Sequence, residues 1–191
     1  MNYKQEILAY SPVNAQEMSE KKVILEYIER FPDTILLREN EFAHLTSSGF
    51  IMNEMLDKVL MVHHNIYKTW AWTGGHADGD EDLLHVALKE ATEETGVKHI
   101  KPLMNTIASL DILPVWGHIK RGCYVPTHMH LSVAYILIAD EKEAVEINRE
   151  ENSGVMWIPI EELEKYCNEP EILVVYHKLI QQAKNCVANK A

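Results

Sequence analysis

The chain has 191 residues, 47% of them hydrophobic, and a formal net charge of −11 at pH 7. This length is enough for one domain with its own core, and the acidic balance argues against non-specific nucleic-acid binding, which needs basic patches. The sequence has neither an apolar run long enough to span a bilayer nor a signal-peptide pattern. Three scattered cysteines without metal-ligand spacing favour a reducing compartment, so we expect a cytoplasmic protein with no membrane contact.

The first predicted element is an amphipathic helix over residues 14–30. Asn14 and Glu17 have the spacing of a capping box, and an apolar stripe follows them. We therefore expect an N-terminal helical extension over residues 1–40 and a main domain over residues 41–191. The extension is a candidate for a homodimer contact or for a lid, and the sequence does not choose between them.

The main domain is predicted to have strands on both sides of a central helix and further helices near its C-terminus. Runs of β-branched and apolar residues mark the strands. The predicted strands cover residues 45–53, 58–63, 70–73, 107–113, 128–139 and 155–158, and the later helices cover residues 160–167 and 171–185. This order predicts an α/β protein in which a mixed sheet lies between helical layers.

The central helix carries three carboxylates on one face. Glu90, Glu93 and Glu94 stand at i, i+3 and i+4, a spacing that brings their side chains together. Like charges this close repel one another, and a hard divalent cation such as Mg²⁺ with oxygen ligands relieves the repulsion. Gly74 before the helix suits a tight turn, and Gly96 after it suits a left-handed cap. The pattern predicts a metal site on a loop–helix–loop.

Residues 75–97 resemble the Nudix box, which reads Gly, five residues, Glu, seven residues, Arg-Glu, an apolar residue, any residue, Glu-Glu, any residue, Gly and an apolar residue. The matching positions are Gly75, Glu81, Glu90, Ala91, Glu93, Glu94, Gly96 and Val97. One position departs from the pattern, because Lys89 replaces the Arg. Lys is a flexible point charge without the planar fork of Arg, so we expect a less rigid hold on a neighbouring Glu.

The resemblance, which covers about residues 45–170, implies a Nudix-type α/β/α sandwich with a mixed β-sheet and an N-terminal helical extension. It implies a metal-dependent pyrophosphohydrolase that cleaves a diphosphate linkage in a nucleoside diphosphate joined to another group. Mg²⁺ or Mn²⁺ is the expected cofactor, and a small nucleotide-type molecule is the expected substrate. The implied metal ligands are Glu90, Glu93, Glu94 and the carbonyl of Gly74. Glu93 and Glu94 are also implied in catalysis, and Lys89 orients one of the glutamates.

Members of this family often add an acidic residue from a loop outside the box, as a metal ligand or general base. Glu150 and Glu151 lie in the corresponding region here, and we favour Glu151 as the catalytic residue. A solvated acidic loop is an equally good interpretation, because charge runs need no role beyond exposure.

Histidines and aromatic residues near the box are candidate substrate-binding groups. His128 and His130 project from the same face of a strand, and His76 adjoins the metal loop. They are candidates for binding substrate phosphate, for acid–base chemistry or for ligating a softer metal, and local packing is the alternative. No third ligand stands at a recognisable spacing, so the sequence does not assign a zinc site and leaves open whether the histidines bind metal or substrate. Trp72 for stacking and Arg121 for a phosphate contact complete the set, with core packing and surface charge as the alternatives.

Two other functions fit the same scaffold. A catalytically silent nucleotide-binding sensor is expected to have eroded glutamates, which this chain lacks. An isoprenoid-diphosphate isomerase in relatives uses a Cys and a Glu, and Cys123 lies just before the histidine pair. The nearly intact box favours hydrolysis. The substrate stays open among ADP-sugars, dinucleoside polyphosphates, oxidised nucleotides, coenzymes and capped RNA ends.

Overall fold

The computed structural model of the chain describes residues 2–66, 68–120 and 122–188. The helices are α1 (Tyr3–Ala9), α2 (Ala15–Arg30), α3 (Leu83–Thr95), α4 (Leu163–Tyr166) and α5 (Pro170–Ala188), with one turn of 3-10 helix at Ile160–Glu162. The strands are β1 (Ala43–Asn53), β2 (Lys58–His64), β3 (Trp70–Ala71), β4 (Thr73–His76), β5 (Lys101–Pro102), β6 (Ser109–Val115), β7 (His118–Lys120), β8 (Cys123–Val125), β9 (His128–Ala139) and β10 (Asn152–Pro159). Over these described ranges, every helix is too short or too polar to cross a membrane.

Eight strands form one mixed sheet, and β7 and β8 form a separate hairpin. The order is β10-β2-β1-β9-β5, with β3 paired to β2, β4 to β1 and β6 to β9. β1 and β9 run parallel along the whole length of β1, whereas the other paired strands are antiparallel. All eleven residues of β1 are buried, so this strand forms the centre of the sheet.

Two hydrophobic cores lie on opposite faces of the sheet. One core packs α1, α2 and α3 against alternate sheet residues such as Leu45 and Leu131. The other packs α4 and α5 against the residues between them, such as Phe50 and Ile136. Side chains alternate across a strand, so each face buries every second residue. The predicted mixed sheet between helical layers is confirmed.

Most predicted elements are present, and the structure adds α1, β5 and the β7–β8 hairpin. The tight turn predicted at Gly74 is wrong, because Gly74 and Gly75 lie in strand β4, where extended backbone pairs with β1. The predicted strand at residues 128–139 coincides with β9, and the predicted turn before β2 separates β1 from β2 as expected. The predicted strand at 107–113 begins two residues later, at Ser109. The short helix α1 and the β7–β8 hairpin were not predicted, because each is too short to set up a readable hydrophobic period.

The predicted capping box of α2 forms only in part. Asn14 caps the helix, since its side chain accepts a hydrogen bond from the Glu17 N–H at 2.9 Å. The Glu17 side chain does not return to Asn14. It is fully buried, where it accepts hydrogen bonds from the Tyr10 hydroxyl at 2.7 Å and the Val13 N–H at 2.8 Å. A residue that reads as a local cap therefore makes tertiary contacts.

A buried cation joins the N-terminal helices to the rest of the fold. Lys178 of α5 lies 2.7 Å from Glu17 of α2 and 2.6 Å from Asp111 of β6. Burial raises the pKa of Glu17, but the hydrogen bonds from Lys178, Tyr10 and Val13 outweigh burial and lower that pKa overall. Two buried carboxylates thus depend on one ammonium group.

Replacing Lys178 by Met is expected to destabilise the protein by about 3–5 kcal/mol, because it leaves Glu17 and Asp111 as buried charges without their cation. Urea denaturation measures the change in the free energy of unfolding. Lys184→Met, at an exposed position of the same helix, is the matched control and is expected to stay within about 0.5 kcal/mol of the parent. Equal effects of the two substitutions would show that the buried pairs contribute nothing.

Candidate active site

Helix α3 has a capping residue at each end, Asp82 before it and Gly96 after it. The Asp82 side chain accepts a hydrogen bond from the His85 N–H at 2.9 Å and so caps the N-terminus. Gly96 ends the helix with φ 75°, a left-handed conformation that glycine adopts without steric cost. The helix predicted from Asp82 to Gly96 is therefore present, with its two ends as expected.

Two glycines let strand β4 approach the carboxylates of α3. The Gly74 N–H donates a hydrogen bond to Glu94 Oε1 at 2.8 Å. A Cβ on Gly75 would lie 2.5 Å from the carboxyl carbon of Glu90, closer than any real contact. A side chain at position 75 would displace the Glu90 carboxylate, so the approach requires glycine. The strand and the helix together hold two carboxylates in place.

Burial and neighbouring charge raise the pKa of two carboxylic acids of this site, Glu90 and Glu94. Glu94 is only 5% exposed, and burial raises its pKa to about 8 despite the hydrogen bond from Gly74. The charges of Glu151, Glu90 and Glu93 raise that pKa further. Burial also raises the pKa of Glu90, although the positive charge of Lys89 opposes this. The protein alone therefore disfavours the ionised form of both acids, and a bound cation would favour it.

Lys89 lies between two of the box glutamates. Its ammonium nitrogen is 3.6 Å from a Glu90 oxygen and 3.7 Å from a Glu93 oxygen. The two carboxylates raise the pKa of Lys89, so the side chain stays charged. One flexible cation thus contacts two carboxylates at long distances, where the fork of Arg offers paired short hydrogen bonds.

The loop before β10 brings Glu151 close to the same carboxylates. Its negative charge raises the pKa of both Glu90 and Glu94. The next residue, Asn152, is buried and donates its side-chain N–H to the backbone carbonyl of Glu94 at 2.9 Å. This hydrogen bond ties the loop to the end of α3. The structure thus brings together the residues predicted on the box helix and the acidic residue predicted outside it.

The donor set fits a hard divalent cation. Glu94 and Glu90 of α3 lie beside Gly74 and Gly75, and Glu94 is almost fully buried. The charges of Glu93 and Glu151 act on both of them. Mg²⁺ and Mn²⁺ prefer carboxylate, carbonyl and water oxygens, and a dication offsets the repulsion that raises these pKa values. Glu90, Glu93 and Glu94 are the residues that would hold it.

A second cluster of polar side chains consists of four histidines. Their ring nitrogens lie within 4.8 Å of one another, and the members are His44, His76, His128 and His130. His44 comes from β1, His76 from β4, and the other two from β9. Burial, the largest cause, lowers the pKa of His76 to about 3 and of His130 to about 2, so these rings are neutral. Substrate binding by His76, His128 and His130 stays a prediction.

The histidine cluster and the box carboxylates lie on opposite faces of the sheet. The Ser47 hydroxyl donates to the carbonyl of Leu83 on α3, and Ser47 is paired with Gly75, whose Cβ position faces Glu90. His76 is paired with Thr46, one position further along each strand, so its side chain points to the other face. The two sites share backbone strands, and the charge of Arg38 interacts with both, since Glu90 and Glu151 raise the pKa of Arg38 and Arg38 lowers the pKa of His76 and His130.

The remaining predicted binding residues lie away from the carboxylates or outside the described ranges. Trp72 packs edge-on against Tyr176 of α5, with ring centroids 5.5 Å apart, in the core on the α5 side. Arg121 lies outside the described residues. The roles predicted for both in substrate binding stay predictions.

Two residues that sequence analysis missed lie beside the site. Arg38 forms a two-fold contact with Asp78, at 2.8 and 2.6 Å, and its charge lowers the pKa of His76 and His130. His44 adds the fourth imidazole. Both precede the box by more than 30 residues, and no spacing links them to it. The available sequence signal for His44 was its position two residues before Thr46 on a strand, which places both side chains on the same face of the sheet.

Comparison with known proteins agrees with this geometry. A family model described as the NUDIX domain matches residues 43–179. The fold is similar to a NUDIX-family hydrolase from Clostridium perfringens, with 22% identity, a TM-score of 0.52, and coverage of 72% of this chain and 96% of that one. It is also similar to an Ap4A hydrolase from C. elegans, with 14% identity, a TM-score of 0.50, and coverage of 76% and 98%. No curated protein matches by sequence.

A mixed sheet between helices, with a carboxylate-bearing helix behind a double-glycine strand, defines a hydrolase that acts on phosphorus anhydrides. Since the family model spans most of the chain, the protein belongs to the NUDIX family. The resemblance seen in the box is thereby confirmed, with a match that extends beyond residue 170.

The raised pKa of Glu94 predicts a pH-dependent stability. Between pH 4.5, its ordinary pKa, and about 8 the folded state keeps a proton that the unfolded state releases. Stability in chelator therefore falls as pH rises through this window, by on the order of 1 kcal/mol per pH unit. Denaturation at several pH values measures the slope.

Glu94→Gln is the matched variant, since it keeps the shape and removes the titration. The difference between the parent and this variant cancels the contributions of the histidines, which titrate in both proteins. Excess Mg²⁺ is expected to reduce the slope of the parent alone, because the cation binds the ionised form. Parallel pH profiles for the two proteins would contradict the raised pKa.

Proposed function

We propose that the protein is a Mg²⁺- or Mn²⁺-dependent pyrophosphohydrolase that cleaves a diphosphate linkage in a nucleoside diphosphate joined to another group. The observation that carries this proposal is the buried Glu94, held by Gly74 among three further carboxylates. A buried acid among like charges costs stability, and a cation-dependent function accounts for retaining it. A nucleotide-type small molecule is the proposed substrate.

We propose separate roles for the residues of the Nudix box in binding the metal and in orienting its ligands. Glu90, Glu93 and Glu94, together with the Gly74 carbonyl, are proposed to hold the metal. Bound metal neutralises charge on the phosphate oxygens and promotes attack by water on phosphorus. Lys89 contacts both the Glu90 and Glu93 carboxylates and is proposed to orient them. These contacts between Lys89 and the glutamates orient the proposed metal ligands before the substrate binds.

Glu151 is the proposed general base. It lies on a loop tied to α3 through Asn152, and its charge acts on both Glu90 and Glu94. A carboxylate in this position accepts the proton that the attacking water releases as the new P–O bond forms. The bridging P–O bond of the diphosphate breaks in the same substitution, and its oxygen leaves with the other phosphate group. Glu93 is the alternative base, because it is half-exposed and lies on the same face of α3 as Glu90.

The substrate panel follows from the family and from the structural neighbours. One of the similar structures is that of an Ap4A hydrolase, so dinucleoside polyphosphates are tested first, followed by ADP-sugars and dinucleotide coenzymes. The exposed rings of Trp116 and Tyr124, on either side of the β7–β8 hairpin turn, offer stacking surfaces for a base. We propose that selectivity depends on this hairpin.

The two alternatives have less support. A silent sensor does not need a buried Glu94, whose charge costs stability when nothing binds it. For an isomerase, Cys123 is the candidate catalytic thiol, but it is exposed on β8. A thiol that activates a carbon centre needs a site closed to water. Hydrolysis therefore stays the preferred function.

We also propose a cytoplasmic location and assembly as a homodimer. The three cysteines are free thiols, which suits a reducing compartment. On α2, Met18 and Val23 are exposed apolar residues on the side away from the sheet, and they offer a surface for a second copy. Light scattering at two concentrations measures the oligomeric state.

Glu94→Gln is expected to reduce kcat by at least about 100-fold, because it removes a charged ligand at the reacting centre. Release of nucleotide and phosphate is measured over the panel with Mg²⁺ or Mn²⁺, and with chelator as a blank. Glu161→Gln, on the exposed turn before α4, is the control and is expected to retain parent activity. Turnover that survives both chelator and Glu94→Gln would overturn the proposal, whereas binding without turnover would establish the sensor.

Glu151→Gln is expected to lower kcat by about 100- to 10,000-fold and to remove the acidic limb of the pH–rate profile, as loss of a general base does. Its neighbour Glu150 supplies the comparison variant, Glu150→Gln. A larger loss at Glu150, or an unchanged acidic limb at Glu151, would assign the base elsewhere, with Glu93→Gln as the next variant.

A further inference from the structure

We propose that His44, His76, His128 and His130 together bind one transition-metal ion of borderline softness, typified by Zn²⁺. This site is separate from the carboxylate site and does not depend on the proposed hydrolysis. The ligands come from three neighbouring strands, and each offers one imidazole nitrogen.

The four rings converge on one point. One nitrogen from each ring lies within 4.8 Å of the others. A tetrahedral Zn²⁺ site with Zn–N bonds of about 2.0–2.1 Å has its ligand nitrogens about 3.3 Å apart, so a small inward rotation of the rings completes the site. Ring centroids are 4.8 Å apart for His44 and His76, 5.1 Å for His44 and His128, and 4.9 Å for His76 and His130. The rings are tilted or perpendicular to one another and are not stacked face to face, so their edges face a common centre.

Backbone carbonyls fix the tautomers of two of the rings. His44 Nδ1 lies 2.9 Å from the Asn40 carbonyl, and His128 Nδ1 lies 2.9 Å from the Pro126 carbonyl. A carbonyl oxygen accepts only, so both Nδ1 atoms carry the proton and both Nε2 atoms present a lone pair to the cluster. A carbonyl bound to the outer nitrogen is the usual companion of a metal-ligating histidine.

One inner nitrogen lacks the hydrogen bond that a buried polar atom needs. His44 is 4% exposed, and its Nε2 atom has no hydrogen-bond partner among the described residues. The Nε2 atoms of His128 and His130 lie 3.3 Å apart, so His130 donates a hydrogen bond to the lone pair that His128 presents to the cluster. A buried lone pair without a donor, such as that of His44, destabilises the protein, and a metal ion satisfies it.

The chemistry of the ligands selects the ion. Four neutral imidazoles suit Zn²⁺, Cu²⁺ or Ni²⁺, whereas Mg²⁺ requires oxygen ligands. Four protein ligands leave no open position, which is the pattern of structural zinc sites.

The position of the cluster gives the ion a structural task. His44 and His130 are register partners on β1 and β9, and His76 directly follows Gly75, whose Cβ position faces Glu90. An ion bound here would lock β1, β4 and β9 together at the end nearest the carboxylates. We therefore expect the ion to stabilise the fold and to steady the double-glycine strand without entering the reaction.

The test uses the full chain stripped of metal with a chelator and titrated with Zn²⁺ or Co²⁺. We expect one ion per chain, a rise in Tm on Zn²⁺ addition, and visible absorption of tetrahedral Co²⁺. His44→Gln and His130→Asn are expected to weaken Zn²⁺ binding at least about 100-fold. His99→Gln, whose side chain is 88% exposed, is the matched histidine control, and Glu94→Gln is expected to bind Zn²⁺ as the parent does.

Imidazole ¹⁵N spectra of the parent protein make the result independent of whether a variant folds. Zn²⁺ is expected to shift one nitrogen in each of four rings, with both Nδ1–H groups of His44 and His128 retained. Absence of stoichiometric binding would overturn the proposal, as would unchanged affinity in folded His44→Gln and His130→Asn. Loss of Zn²⁺ binding in Glu94→Gln would place the ion at the carboxylates instead.

Discussion

The contact between strand β4 and helix α3 organises this molecule. The Gly74 N–H holds the buried Glu94 carboxylate, and the bare Cα of Gly75 leaves room for Glu90. Any side chain at either glycine would collide with β1 or with a box glutamate. Three further features hold α3 in place against β4: the two helix caps, the hydrogen bond from Asn152 to the Glu94 carbonyl, and the complete burial of β1. The protein thereby keeps several carboxylates together in a poorly hydrated place, which ordinary folding energetics disfavours.

The fold contains two buried charge arrangements with opposite outcomes. Around Lys178, two carboxylates share a cation supplied by the chain, so the arrangement is complete and joins α2, β6 and α5. Around Glu94, Lys89 contacts two of the glutamates only at long range, and the pKa of Glu94 stays high. The first arrangement stabilises the fold by itself. The second is the arrangement for which we propose a cation from solution, and this difference separates a structural network from a candidate site.

Sequence patterns predicted the local features and missed those that depend on tertiary contact. The spacing of Glu90, Glu93 and Glu94, the Asp82 and Gly96 ends and the run of β9 are all set by residues close in the chain. The histidine cluster needed His44, which is brought to His130 by a parallel pairing of strands more than 80 residues apart. Glu17 read as a capping residue because its long-range partner, Lys178, stands 161 positions away and leaves no local signal.

Both faces of strand β1 contribute to a candidate site. Its odd-numbered residues pack beneath the box helix, where Ser47 binds the Leu83 carbonyl, and its even-numbered residues carry His44 and the surroundings of His76. A shift of one residue in the pairing of a strand exchanges its two faces. An inserted residue within β1 would therefore turn an imidazole toward α3 and an aliphatic side chain toward the histidines in a single step. The two sites are therefore structurally coupled through β1, because a change in its register alters both of them.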